Sequence, residues 1–341
     1  MKSRAETIKF VILGGLLILL FMLNLYLGSV SIPFDEVNDI LFHGGDPEGP
    51  LRFIVVHSRL PQAVTGLLAG SALTVSGLML QTAFRNPLAG PSILGISSGS
   101  SLGVALVILL AGGTVSAGSY SWGGYMAVLI GSFAGSILVM GVLLLFAAWL
   151  KNNLMMLIAG IMVGYLTSSV ITLLNYVSTA EGVQGYAMWG MGNFNGVSLG
   201  QLPLFATGIC GGLLLAVLMV KPLNIMLLGE NYARNLGVNM TRLRNMLLLT
   251  TGILVSIVTA YCGPVSFIGL AVPHIVRMIF RVSDHRVIIP GSIVTGGMVG
   301  LTCNLLCVVP DNMVLPLNGV TPLIGVPVVM YVIFKGRYSR K

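Results

Sequence analysis

The chain has 341 residues, of which 55% are hydrophobic and only 8% charged, with 18 Lys+Arg against 10 Asp+Glu. A soluble domain carries about 25% charged residues, so a water-soluble enzyme, a nucleic-acid-binding domain and a disordered chain are excluded. The net charge of +8 sits on a mean hydropathy of +0.95, a pairing that a membrane protein with basic cytoplasmic loops explains.

Lys2, Arg4 and Lys9 precede an apolar run over residues 10–30. That run is too long for a signal-peptide core and no A-x-A site follows it, which predicts a first transmembrane helix. Charge is costly in hydrocarbon, so charge-free gaps delimit the remaining spans. Arg59 to Arg85 holds the second. Arg85 to Lys151 holds two more, separated by a Gly/Ser-rich turn at residues 111–121, and Lys151 to Glu181 holds the fifth. The sixth fits residues 199–220, leaving an aromatic segment at 186–197 for the interface. The seventh lies between Arg244 and Gly263-Pro264, a short eighth over residues 265–280, the ninth between Arg286 and Asp311, and the tenth between Asp311 and Lys335.

Sidedness decides between nine and ten spans. With ten, and the N-terminus inside, sixteen of the basic residues collect on the inner side and only Arg52 and Arg59 face out. Seven acids (Asp35, Glu36, Asp39, Asp46, Glu48, Glu181 and Asp311) also face out, leaving the inner side near +13 and the outer side near −5. Removing the short eighth span would carry the basic C-terminus outside. The positive-inside rule therefore predicts ten spans with both termini in the cytoplasm. The expected fold is all-α, a single transmembrane domain over residues 1–341 with a cytoplasmic loop at about 221–244.

Small residues four apart recur at Gly66/Gly70, Gly131/Gly135, Gly160/Gly164, Gly208/Gly212 and Gly296/Gly300, the spacing of close helix–helix packing. Cys210, Cys262, Cys303 and Cys307 lie in apolar runs without a C-x-x-C pair and read as inert buried thiols, so no metal site is expected. Gly95-Ile96-Ser97-Ser98-Gly99 matches the serine-hydrolase elbow. Of His43, His57, His274 and His285, only His274 could stand level with it, and no acid is placed to orient that ring. A flexible helix start is the better reading, and no catalytic residue is expected. There is no phosphate-binding G-x-x-x-x-G-K-[ST] loop. No charge sits mid-span, which counts against an ion-coupled secondary transporter. Asn239-Met240-Thr241 is a glycosylation match on the cytoplasmic side and is set aside.

The loop 221–244 carries a short amphipathic helix. Glu230 opens it, where an acid suits the positive dipole end, and Gly237 stands where a helix stop is expected. Such a tethered helix suits docking into a soluble partner or serves as a plain connector.

Four segments in order resemble the FecCD-type permease family, the membrane subunits of ABC importers for iron-siderophores, haem and vitamin B12. The first is Arg59-Leu60-Pro61-Gln62 with Gly70, Gly77, Gln81, Asn86-Pro87-Leu88-Ala89, Pro91 and Leu94-Gly95. The second is Leu228-Gly229-Glu230, Ala233 and Leu236-Gly237-Val238. The third runs from Gly263-Pro264 through Gly269 to Pro273-His274 and Arg277. The fourth is Asp284-His285-Arg286 and Pro290, with Leu315-Pro316, Thr321, Gly325 and Pro327.

The resemblance implies a type II importer permease fold of ten spans, paired as a homodimer or heterodimer. It implies that Leu228, Gly229, Glu230, Ala233, Leu236, Gly237 and Val238 couple to a separate ATPase that holds ATP and Mg²⁺, this chain binding no cofactor. It implies docking of a substrate-binding lipoprotein through Arg59, with Arg52 compensating for Gln62 where the family often has a second arginine. It implies a gate near Glu181, Trp189, Asn193 and Asn318, and a structural motif of Asn86, Pro87, Gly263, Pro264, Gly269, Pro273, His274 and Arg277. Val314 and Asn318 depart from the family's usual residues. The expected function is import of a metal chelate, iron-siderophore first, then haem or cobalamin, across the cell membrane. An ion-coupled secondary transporter and an intramembrane serine hydrolase are the alternatives.

Overall fold

The computed structural model describes residues 4–46, 49–92, 95–110, 122–149, 153–308 and 314–338. The turn at 111–121 together with Leu94, Lys151 and Asp311 lies outside the described residues, as does the side chain of Glu230. The described residues form helices and no strand.

Helix α1 (Arg4–Tyr26) leads to a short helix α2 (Phe34–Phe42). Then α3 (Pro50–Phe53), a π-turn (Ile54–Arg59) and α4 (Leu60–Phe84) run on as one rod of 35 residues. The π-turn has a cause in the sequence. Pro61 lacks an N–H and its ring would strike the carbonyl four residues back, so the helix widens there. Next come α5 (Ile96–Leu110), α6 (Trp122–Trp149), α7 (Asn153–Val177) and α8 (Ala180–Gly190). They are followed by α9 (Leu202–Leu218), α10 (Val220–Leu227), α11 (Glu230–Asn235) and α12 (Met240–Cys262), and finally by α13 (Ile268–Phe280), α14 (His285–Val308) and α15 (Leu317–Tyr338).

Six helices are long and apolar enough to cross a membrane, and α9 with α10, bent by 47°, makes a seventh. The shorter apolar helices α5, α13 and the first part of α15 occupy the other three segments delimited in the sequence. At 1.5 Å per residue the 13 residues of α13 rise about 20 Å, less than the roughly 30 Å of a hydrocarbon core. The ten spans expected from charge thus include three whose helices in the described residues are shorter than a full crossing. The first helix begins at Arg4, not at residue 10, and ends at Tyr26. Charge-free gaps mark hydrocarbon, whereas helices continue into the headgroup region, where long basic side chains reach water.

The core is built around α4. Its span is 83% buried, against 11% for α7. It packs against α14, α12, α13, α9 and α1. Of the glycine pairs, Gly66 and Gly70 face Gly296 and Gly300, and Gly131 and Gly135 face Gly99 and Gly103. The elbow-like Gly99 thus has a packing role, since a Cβ there would stand 2.6 Å from the Gly135 carbonyl oxygen. Ser97 lies in the first turn of α5, and His274 is engaged elsewhere, on the Pro87 carbonyl. Cys262, Cys303 and Cys307 are buried, while Cys210 is exposed on α9, unlike the buried thiol expected from its apolar run. An apolar outward face exposes such a residue as readily as it exposes Leu204 and Leu214.

Candidate coupling, gating and docking sites

The segment expected to couple is a helix of six residues, α11, between two glycines with left-handed backbone, Gly229 (φ 115°) and Gly237 (φ 82°). The Gly237 N–H donates to the Arg234 carbonyl and the Val238 N–H to the Ala233 carbonyl, each at 3.0 Å. These two bonds form the Schellman closure expected where glycine follows a helix. Ala233 is fully buried while Leu228 and Leu236 are 64% and 54% exposed. The segment thus rests on the protein through Ala233 and offers two leucines outward. Asn239 caps the next helix, its side chain accepting from the Arg242 N–H at 2.9 Å. The discarded glycosylation match is a helix cap.

Arg85, the residue after α4, has φ 47° and ψ 35°. An L-residue pays about 1–2 kcal/mol for that conformation and glycine is usual there. Its guanidinium donates to the Met226 carbonyl at 3.3 Å, tying the end of α4 to the approach of the coupling segment.

The motif residues after α4 and on α13 meet. His274 bonds the Pro87 carbonyl at 2.8 Å, and Asn86 accepts from the Leu88 N–H at 2.9 Å. Arg277 donates to Gln81 at 2.6 Å, and Gln81 donates in turn to the Leu270 carbonyl at 3.1 Å. Gly269 lies against α4, where a Cβ would be 2.8 Å from the Leu73 carbonyl oxygen. Pro273 sits inside α13 and is buried. His274 and Arg277 thereby hold the loop after α4 against α13.

Asn318, at the start of α15, is the hub of a second junction. Its amide donates to the carbonyls of Gly190 at 2.9 Å and Pro264 at 2.5 Å, and its oxygen accepts from the Ser266 N–H at 3.3 Å. Gly263, with φ 75°, faces the Trp189 carbonyl closely enough that a Cβ would stand 2.6 Å away. Asn193 is exposed, and its N–H donates to the Cys262 carbonyl at 2.9 Å. Trp189 is buried against Val104, Ile108 and Val128 and stacks on Tyr186. Glu181 is exposed in the first turn of α8, apart from this junction. Trp189, Asn193 and Asn318 are therefore brought together with the Gly263-Pro264 break, and Glu181 is not. The sequence had not singled out Thr179, whose hydroxyl caps α8 by accepting from the Gly182 N–H.

Arg59, at the position where the resemblance implies docking, points into the fold. It is 4% exposed. Its guanidinium donates to the carbonyls of Leu25 at 2.9 Å, Tyr26 at 2.7 Å and Val30. The last carbonyls of a helix have no partner within it, and Arg59 satisfies those of α1. Gln62 likewise points into the bundle, donating to Asn304 at 2.9 Å, while Asn304 donates to Asn24 at 2.7 Å. Asn24 and Asn304 were legible only as isolated amides in apolar runs. Arg52 is half-buried on α3.

Among the described residues no group of three or more His, Cys, Asp or Glu could hold a metal. Just before α14, Asp284 is held below the usual carboxylate range, chiefly by the Arg286 backbone N–H, with the Asn224 amide and the Arg286 and His285 charges assisting.

The FecCD transport family matches residues 16–335. The hemin transport system permease protein HmuU of Yersinia pestis is 33% identical over 343 residues, covering 96% of both chains. The vitamin B12 import system permease protein BtuC of Citrobacter koseri is 34% identical over 281 residues, covering 82% of both. A solved chain of a metal-chelate type ABC transporter in an inward-facing conformation superposes with a TM-score of 0.84 at 27% identity, over 96% of this chain and 99% of that one. By family match, relatives and fold together, the chain belongs to the FecCD transport family.

Proposed function

We propose that this chain is the permease subunit of an ATP-driven importer for a metal chelate. Two copies form the pathway, two ATPase subunits bind from the cytoplasm, and a binding protein delivers the cargo from outside. The chain itself makes and breaks no covalent bond. ATP and Mg²⁺ belong to the ATPase. Both termini lie in the cytoplasm, on the side where the basic residues gather.

The observation that carries this reading is α11, a capped helix of six residues with Leu228 and Leu236 turned outward in a chain of this family. A short helix with apolar residues presented from a rigid tether suits a groove on a partner. Closure of the ATPases would move it as a body and tilt the helices attached to it. Iron-siderophore is the first cargo to test. The relatives named for hemin and vitamin B12 support testing haem and cobalamin beside it.

The test is reconstitution of the complex with its ATPase and binding protein in vesicles. Uptake of a ferric hydroxamate siderophore, haem and cyanocobalamin is then followed with and without ATP. ATP-dependent uptake of one of them is expected. Uptake driven by an ion gradient without the ATPase would favour a secondary carrier. Glu230→Arg combined with Gly237→Leu should abolish co-purification of the ATPase, and its survival would remove the coupling assignment.

A further inference from the structure

Just before the coupling segment, Asn224 of α10 stands at the centre of a hydrogen-bonded chain that crosses three helices. Its amide nitrogen donates to the Asp284 carboxylate at 2.6 Å. Its oxygen accepts from the His285 backbone N–H at 2.8 Å and lies 2.8 Å from His285 Nδ1. A backbone N–H can only donate and a carboxylate can only accept, so the orientation of the Asn224 amide is fixed by its neighbours. His285 Nδ1 therefore carries a proton. The far nitrogen of the same ring, Nε2, is 3.0 Å from the Thr82 hydroxyl on α4.

His285 and Thr82 are 2% and 8% exposed, so water does not compete for the bond between them. The chain survives either charge state of the ring. A neutral ring accepts the Thr82 proton at Nε2. A charged ring donates to the Thr82 oxygen, whose own proton then turns to the Leu78 carbonyl, 2.9 Å away.

Two further contacts run parallel. Leu223 and Met226, on the buried side of α10, are part of the main core. Arg85 reaches the Met226 carbonyl from the end of α4. Helix α10 is thus joined by polar and apolar contacts to α4 and α14, the two helices locked together by facing glycines. The next element, α11, rests on the protein through Ala233.

We infer that Asn224, His285 and Thr82 form a mechanical relay that makes α10 and the inner ends of α4 and α14 move as one body. Displacement of the coupling segment is thereby delivered to the α4·α14 pair at the centre of the bundle and not absorbed in the loop. This rests on the proposed coupling function. These three are positioning residues, since none touches cargo or nucleotide. Stiffness follows from the geometry. Asn224 uses both ends of its amide, and His285 uses both ring nitrogens and its backbone N–H. A hinge at this place would need at least one of those groups free.

The test measures ATP hydrolysed per chelate taken up by the complete complex in vesicles. The probe is whichever of a ferric hydroxamate, haem or cyanocobalamin the wild-type complex takes up. Thr82→Val removes the hydroxyl while keeping the shape, and Thr82→Ser keeps the hydroxyl. Asn224→Ala cuts the chain at its other end. Thr82→Val and Asn224→Ala should each raise the ATP spent per chelate about tenfold, with the ATPase still co-purifying. Thr82→Ser should stay within about twofold of wild type. The double variant should be no worse than the poorer single one, because one broken link already severs the relay. A role in stability alone would lower the yield of complex and leave the ratio unchanged, and that result would overturn the relay. Should Asn224→Ala fail to assemble, the isosteric Thr82→Val decides. Failure of the wild-type complex to take up any of the three with ATP is a different outcome, which removes the proposed function itself.

Discussion

Gly70 of α4 and Gly296 of α14 touch backbone to backbone. A Cβ on Gly296 would lie 2.5 Å from the Gly70 carbonyl oxygen, and one on Gly70 would fall on the Gly296 carbonyl. Gly66 and Gly300 repeat the contact one turn along. In a bilayer, apolar side chains gain little by leaving lipid, so close backbone approach supplies the packing instead. Helix α4 packs in addition against α12, α13, α9 and α1.

Gly296→Leu should force α4 and α14 apart and destabilise the protein by about 3 kcal/mol or more, an overpacked core being costly. Gly211→Leu, on an exposed face with no atom within 4 Å of an added Cβ, should leave stability within about 0.5 kcal/mol. Thermal unfolding in detergent compares the two.

Arg59→Ala should destabilise the protein by about 2–4 kcal/mol, because three carbonyls at the end of α1 and the turn after it lose a charged donor. Once protein amount is normalised, affinity for the binding protein should be unaltered. A selective loss of that affinity at full thermal stability would restore Arg59 as a docking residue. Titration of the binding protein against variants at Arg59 and Arg52 makes the comparison.

Asn304→Ala should cost about 1–3 kcal/mol, since it strands the Asn24 oxygen and the Gln62 amide inside the bundle. Replacing Asn24, Gln62 and Asn304 together by leucine removes the stranded groups and should cost less than the single change. Unfolding midpoints of the two variants decide it.

Asn318→Ala removes bonds to Gly190, Pro264 and Ser266. At about 0.6 kcal/mol for each hydrogen bond between membrane helices, stability should fall by about 2 kcal/mol. Uptake should fall further than stability does, because the lost bonds hold α8, α15 and the Gly263-Pro264 break in register. Asn318→Asp should be worse, as it sets a carboxylate against two carbonyls. Uptake per mole of folded complex is the readout.

Asp284 gives the pH dependence. Its folded pKa lies below its ordinary value, so the stabilisation is present above the unfolded pKa of about 4. It is lost as the pH falls through the lower folded value. Asp284→Asn should therefore lower the unfolding midpoint slightly at pH 7, the site being exposed to solvent. The gap from wild type should close on acidification below about pH 4. A gap that widened in acid would contradict this assignment.

Much of this molecule could be read along the chain. Membrane residence, the segment boundaries within a few residues, the glycine stripes and the capped helix at Glu230 all rest on composition and short-range spacing. Hydrocarbon excludes charge, and backbone groups inside it must be satisfied within each helix, so each segment carries its own signal. The motif around Pro87 and His274 was visible as residues in order but not as a contact, because the hydrogen bond joins positions far apart in the chain.

The partners of Arg59 were hidden for the same reason. From its neighbours it is a charge at the outer rim. Its partners are carbonyls 29 to 34 residues earlier, at the end of another helix. Asn24 and Asn304 are 280 residues apart and share a bond, and Asn224 gained its meaning only when α10 was laid beside α14. Local periodicity encodes which residues are helical and which face lipid. Which polar group satisfies which depends on how the helices dock, and that is a property of the assembled bundle.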